Sequence, residues 1–196
     1  MSQVIVKTWN REFVINKTLA GVIGVISFIA LTVAGAYIRI PLPFTPVPIT
    51  LQTFFVLLAG AFLGRKLGSL SQAGYILVGI FGLPVFTGGF YGFARIMGPT
   101  GGYLIGFLVA AFVIGRLLGN DSEAPFLKIA ASMLAGLVVL FTLGTIHLSI
   151  IAHISLGKAT ALGVLPFIPG DIIKLLAAAT IYQRVQKQAR QLYPNP

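Results

Sequence analysis

Gly170-Asp-Ile-Ile-Lys-Leu-Leu-Ala-Ala-Ala-Thr-Ile-Tyr-Gln-Arg184 is an apolar run that carries two opposite charges, Asp171 and Lys174. Residues three apart share one helix face, so the two groups can pair. An ionised side chain at the centre of a bilayer costs about 2.5–3.5 kcal/mol on insertion scales, and such groups usually face a cavity or a solute path. If Arg184 marks one membrane boundary, Asp171 stands 13 residues away, about 20 Å along a helix rising roughly 1.5 Å per residue. In a hydrocarbon core about 30 Å thick, that places it in the outer third.

The rest of the chain sets this run among others of its kind. Of 196 residues, 57% are hydrophobic and 9% charged, and the mean hydropathy of +0.95 belongs to a multi-spanning membrane protein. Stretches long enough to cross a bilayer run over Thr18–Ile38, Leu67–Arg95, Ile96–Gly115 and Ile129–Ala152. Ile49–Gly64 is shorter, and Gly170–Arg184 carries the charged pair. The sequence therefore predicts an all-α integral membrane protein of six helices in one bundle. It forms one domain over 1–196, with a polar N-terminal segment 1–17 and a C-terminal tail 185–196. The segment Met1 to Lys17 is too polar for the core of a signal peptide, so the first apolar run reads as a retained span.

Pro41-Leu-Pro-Phe-Thr-Pro-Val-Pro48 holds four prolines in eight residues and predicts a stiff, extended loop between the first two spans. Leu83-Pro84 ends the third span, Asp121 to Pro125 form a turn before the fifth, and Pro166 to Pro169 precede the sixth.

The net charge of +10 is explained by topology. Six spans put both termini on one side, together with Lys7, Arg11, Lys17, Arg65, Lys66, Arg116, Lys128, Arg184, Lys187 and Arg190. Arg39, Arg95 and Lys158 fall on the other side. The positive-inside rule then makes both termini cytoplasmic. The partner of this basic surface is membrane lipid, and no nucleic acid is implied.

Asp171 has a bland explanation, as an acid satisfying free amides at a helix N-terminus. That leaves Lys174 unexplained, because a cation there is unfavourable unless it pairs, snorkels or contacts a solute. Arg95, in Phe90-Tyr-Gly-Phe-Ala-Arg-Ile-Met-Gly98, is either an interfacial anchor or a carboxylate contact. Thr50 and Gln52 at the outer end of the second span either bond a neighbouring helix or face a ligand. Gly98-Pro-Thr-Gly-Gly-Tyr103 lacks the lysine of a phosphate-binding loop and reads as a close turn, compatible with Thr100 or Tyr103 lining a pocket. His147 reads as a packed, hydrogen-bonded histidine, since no carboxylates accompany it as metal ligands.

Catalysis finds little footing. No Gly-x-Ser-x-Gly occurs, and Asp171 has no second carboxylate in any other span. Absence of cysteine removes disulfides and thiolate metal sites.

Three motifs in order resemble the BioY family, the biotin-binding S components of energy-coupling factor vitamin transporters. They are Thr45-Pro-Val-Pro-Ile-Thr-Leu-Gln52 continuing into Leu57-Leu-Ala-Gly-Ala-Phe-Leu-Gly64, then Gly98-Pro-Thr-Gly-Gly-Tyr-Leu-Ile-Gly106, then Pro169-Gly-Asp-Ile-Ile-Lys174. The resemblance implies a six-helix S-component fold, biotin as transported substrate, no cofactor and no enzymatic activity. It implies that Asp171 accepts hydrogen bonds from the ureido N–H groups and that Lys174 donates to the ureido carbonyl. Arg95 becomes a candidate for the valerate carboxylate and Phe44 for the cover of the pocket, beside Gln52 and Tyr103, which the residues themselves offer as ligand-facing. It further implies a transmembrane coupling subunit and paired ATPase subunits as partners, docked through Ala30 and Ala34. A subunit for a different vitamin, or a membrane scaffold in which the charged pair locks helices together, are the alternatives.

Overall fold

The computed structural model describes residues 17–193. Helix α1 (Lys17–Tyr37) is followed by two short strands, β1 (Arg39–Ile40) and β2 (Ile49–Thr50). Then come α2 (Gln52–Ile80), α3 (Ala94–Met97), α4 (Gly101–Leu118), α5 (Phe126–Ile151), α6 (Leu156–Gly163), a 3-10 turn (Leu165–Phe167) and α7 (Ile168–Leu192).

Nothing in α1 breaks a helix, and its buried face is mostly small: Ala20, Gly21, Gly24, Gly35 and Ala36, with Thr32. Small residues let helix backbones approach where lipid offers no hydrophobic gain for association. Beyond Tyr37 the chain turns, and β1 pairs antiparallel with β2 in the register Arg39↔Thr50 and Ile40↔Ile49. This two-residue clasp closes the base of the proline-rich loop.

Among the described residues, five helices are long and apolar enough to cross a membrane. The second of them is two passes. Gly64 adopts φ 75°, ψ −174°, a conformation that glycine reaches without the penalty a side chain would add. The two halves then fold back on each other. Gly68 lies against Ala59 and Gly60, where an added Cβ would come 2.9 Å from the Ala59 carbonyl oxygen. Near the open end of this hairpin, Gln52 Nε2 donates to Tyr75 Oη at 2.7 Å. With α1, the two halves of α2, α4, α5 and α7, the bundle has the six expected passes.

Several boundaries differ from expectation. The third pass stops at Ile80 and does not reach Arg95, because Gly82, Gly88, Gly89 and Gly92 all take positive φ in an irregular loop. The fourth begins at Gly101 rather than Ile96, after the short α3 and the turn Gly98 to Thr100. Residues 152–169 contain α6, which Ser155 caps by accepting the Lys158 backbone N–H. Helix α7 starts at Ile168, with Pro169 in its first turn where a missing N–H costs nothing, and continues through Leu192. Most of the expected tail 185–196 is therefore helix. Of the segment 1–17, only Lys17 falls within the described residues.

The two ends of the bundle are distinct. Gly24 lies against Leu63 and Tyr193, and Gln186 Nε2 donates to the Ala124 carbonyl at 3.2 Å. The start of α1, the Gly64 turn, the 119–125 loop and the end of α7 thus gather at one end. Ion pairs Lys128–Asp121 and Lys187–Glu123 lie there, at 2.8 and 2.7 Å. The opposite end carries the β1–β2 loop, the 81–100 segment and the α6 region. Between them the core is aromatic and aliphatic, with Tyr75, Phe86, Phe107 and Leu148 in one cluster and Leu57, Ile114, Met133 and Tyr182 in another. Ile23, Val138 and Ile173 stand more than half exposed on the outside, as suits a surface solvated by acyl chains.

Candidate functional site

Beneath the loop end lies a cavity of ≈ 50 Å³, lined by residues from several elements. The β1–β2 loop brings Val47 and Pro48, and the first half of α2 brings Gln52 and Thr53. The 81–100 segment brings Phe86, Thr87, Arg95 and Thr100. Tyr103 and Phe107 come from α4, Phe141 from α5, and Asp171 and Lys174 from α7.

The charged pair is its polar centre. Lys174 Nζ lies 2.6 Å from Asp171 Oδ1, with side chains 12% and 5% exposed. The geometry follows from the i,i+3 spacing in the first turns of α7, where an acid is favoured by the free amides. Lys174 also donates to the Thr50 carbonyl at 2.7 Å and to Thr53 Oγ1 at 2.9 Å. All three of its donors are thereby engaged. Thr53 Oγ1 in turn donates to Asp171 Oδ1 at 2.7 Å. Asp171 Oδ2 makes no hydrogen bond to the described residues and remains available as an acceptor.

Gln52 anchors a second network. Its Nε2 donates to Tyr75 Oη at 2.7 Å, and its Oε1 accepts from Thr87 Oγ1 at 2.9 Å. Tyr75 Oη donates onward to the Val85 carbonyl at 3.2 Å. These bonds tie the 85–87 strip of the outer loop onto the α2 hairpin. Tyr37 Oη, donating to the Pro84 carbonyl, ties the same loop to α1. Gln52 thus lines the cavity while its amide is committed to holding the cover.

Arg95 lies across the cavity wall from α3, half-buried, with its guanidinium 4.9 Å from the Phe90 ring centroid. It has no acidic partner among the described residues. Burial lowers its pKa below the ordinary arginine value, yet guanidinium remains cationic at any physiological pH. Tyr103 turns its ring to the cavity and donates its hydroxyl to the Gly163 carbonyl at 2.9 Å. The Gly98 to Tyr103 turn is tightly packed: Gly101 and Gly102 lie against His147, whose Nε2 is 3.0 Å from the Gly98 carbonyl oxygen.

Of the six substrate residues expected from sequence, Asp171, Lys174, Arg95, Tyr103 and Gln52 meet in this cavity. Phe44 does not join them: it is 58% exposed on the proline-rich loop, which instead presents Val47 and Pro48 to the cavity. Thr53 was missed. The signal for it was present, since it is a polar residue directly after Gln52 in the first turn of α2. Ala30 and Ala34 do not line this cavity and are exposed on α1. A larger lateral groove of ≈ 560 Å³ runs between α5, α6 and α7. Its walls are apolar apart from three threonines and Asp171, so it lacks the converging polar groups of the first cavity.

A solute held here meets an acceptor at Asp171 Oδ2, an ammonium at Lys174 and a guanidinium at Arg95, separated by aromatic walls. Ordinary small-molecule sites measure about 300–1,000 Å³. Admission of such a solute therefore requires the cavity to widen.

Comparison with known proteins places the fold. The BioY family model matches residues 8–191. The "Biotin transporter BioY" of Thermotoga maritima is 48% identical over 161 residues, covering 82% of this chain and 92% of that one. The "Probable biotin transporter BioY" of Pyrococcus horikoshii is 45% identical, covering 81% and 91%. Among solved structures, the S-component for biotin from an ECF-type ABC transporter superposes with a TM-score of 0.84 at 32% identity, over 92% of this chain and 98% of that one. The chain belongs to the BioY family.

Proposed function

We propose that the protein takes up biotin across the cytoplasmic membrane as the substrate-binding subunit of an ECF-type transporter. The observation that carries this reading is the Asp171–Lys174 pair, set with Arg95 in one cavity beneath the outer loops. A cyclic urea offers two N–H donors and one carbonyl acceptor. Asp171 Oδ2 accepts from the ring, Lys174 donates to its carbonyl after giving up one present partner, and Arg95 binds the carboxylate. Phe86, Phe141 and Phe167 cover the apolar bicycle and chain. The names of the relatives support biotin over other vitamins.

The chain acts as one six-helix membrane domain with both termini in the cytoplasm. Arg65, Lys66, Lys128 and Lys187 support that orientation, since they belong to the end opposite the cavity. A transmembrane coupling subunit and ATPase subunits supply the energy, and the outward-facing Ala30 and Ala34 give α1 a smooth surface for the coupling subunit.

A binding panel of radiolabelled vitamins on the purified protein tests the assignment. Saturable binding of biotin alone is expected, and tight binding of a vitamin without a cyclic urea in place of biotin would overturn it.

A further inference from the structure

Resting on the biotin-binding reading, we propose that Thr53 is a positioning residue that sets ligand specificity. Its hydroxyl clamps Asp171 Oδ1 to Lys174 Nζ, which leaves Asp171 Oδ2 for the ring N–H groups and makes the Thr50 carbonyl the partner that Lys174 exchanges for the ring carbonyl.

The chemistry of the three groups fixes the direction of every bond. An ammonium can only donate, so at the 2.9 Å contact Thr53 Oγ1 accepts. Its single proton is then free for the 2.7 Å contact with Asp171 Oδ1. Asp171 Oδ1 therefore receives two donors, Thr53 Oγ1 and Lys174 Nζ at 2.6 Å, and the other oxygen receives none from the described residues. The carboxylate cannot turn without breaking both bonds.

Lys174 has no spare donor. A ligand carbonyl must displace the Thr53 hydroxyl, the Asp171 carboxylate or the Thr50 carbonyl, at 2.9, 2.6 and 2.7 Å. Displacing the carboxylate separates a buried ion pair, and displacing Thr53 strips two bonds from one centre. The Thr50 carbonyl is neutral and belongs to the clasp of the proline-rich loop. It is also chemically the nearest match to a urea carbonyl. Exchange at Thr50 releases that loop from α7, which couples ligand capture to movement of the cover.

The test compares Thr53→Val and Thr53→Ser in the full-length protein, with biotin and with 2-iminobiotin. In 2-iminobiotin an imino nitrogen replaces the carbonyl oxygen, and near neutral pH the protonated ring has no acceptor for Lys174. Hydrogen bonds to charged groups contribute about 1.5–3 kcal/mol, so Thr53→Val should weaken biotin roughly 10- to 100-fold. Both ligands carry the ring N–H groups that Asp171 receives and only biotin offers Lys174 a carbonyl, so 2-iminobiotin should also weaken but by about tenfold less, and Thr53→Ser should restore both affinity and preference. If Thr53→Val does not fold, Thr53→Cys takes its place with the same expectations, its thiol being a weak hydrogen-bonding group. Unchanged biotin affinity, equal losses for both ligands, or failure of Thr53→Ser to rescue would overturn the role. Absence of biotin binding by the unaltered protein would instead overturn the biotin reading itself.

Discussion

Lys174 Nζ stands 2.6 Å from Asp171 Oδ1, nearly sealed from solvent, one turn apart at the start of the last helix. Removing one member of a buried pair leaves an uncompensated charge, at a cost of about 3–5 kcal/mol, whereas removing both is often tolerated. Lys174→Met is therefore expected to lower the thermal unfolding midpoint more than Asp171→Asn combined with Lys174→Met. The double variant should fold yet bind no biotin. A double variant that still binds would make the pair a helix lock only.

Gln52 and Tyr75, 2.7 Å apart, hold the 85–87 strip together with Thr87. Gln52→Leu leaves the buried Thr87 hydroxyl without its acceptor, a loss of about 1–3 kcal/mol, and reduces Tyr75 Oη to its bond with the Val85 carbonyl. The expected result is faster proteolytic cleavage within residues 81–93 and faster release of bound biotin, read from a chase experiment. Unchanged cleavage and release would show that the network does not govern the cover.

At Gly68 an added Cβ would come 2.9 Å from the Ala59 carbonyl oxygen, inside the hairpin made by the Gly64 turn. Overpacking of this kind costs about 1–3 kcal/mol. Gly68→Val should reduce the yield of monodisperse protein sharply, while Gly157→Ala, at an exposed position with open space around it, should not. Equal yields would contradict the close approach of the two halves.

Ala30 and Ala34 are exposed on α1 and do not line the cavity. Ala30→Trp with Ala34→Trp is expected to leave biotin binding unchanged and to reduce ATP-dependent uptake in cells carrying the transport module. Normal uptake would place the docking surface elsewhere.

Asp121 lies outside the spans and accepts from Lys128 Nζ and the Glu123 backbone N–H, which hold its pKa below the ordinary value of 3.8. A depressed folded-state pKa contributes stability that is present above the unfolded value and lost as pH falls through the folded one. Below about pH 4, unfolding midpoints of the native chain should decline more steeply than those of Asp121→Asn. Parallel curves would show that this exposed pair contributes nothing measurable.

Sequence reading reached the membrane, the passes and the charged pair because each depends on strong local terms. Proline cannot sit within a span without cost, charges mark boundaries, and Asp171 with Lys174 has no cheap explanation in lipid. Gln52 and Tyr103 were legible as cavity candidates from the polar end of the second span and the Gly98 to Tyr103 turn. What escaped sequence reading depends on tertiary placement. The reversal at Gly64 was legible as a boundary, since Arg65 and Lys66 separate Ile49–Gly64 from the next apolar run, but the single backbone angle that makes it was not. Leu83-Pro84 signals the end of the third pass, but the uncharged run continues to Arg95, and four glycines with positive φ make residues 81–93 a loop. Thr53 gains its importance from a partner 118 positions away. Phe44 shares its loop with Val47, and only the path of that loop decides which of the two turns inward.

The most direct measurement is equilibrium binding of radiolabelled biotin to the purified protein beside Asp171→Ala, with folding of both checked by thermal unfolding. The expected result is saturable binding at one biotin per chain for the native protein and none at the same concentrations for a folded Asp171→Ala. Equal affinity in the two proteins would contradict the role assigned to the pair.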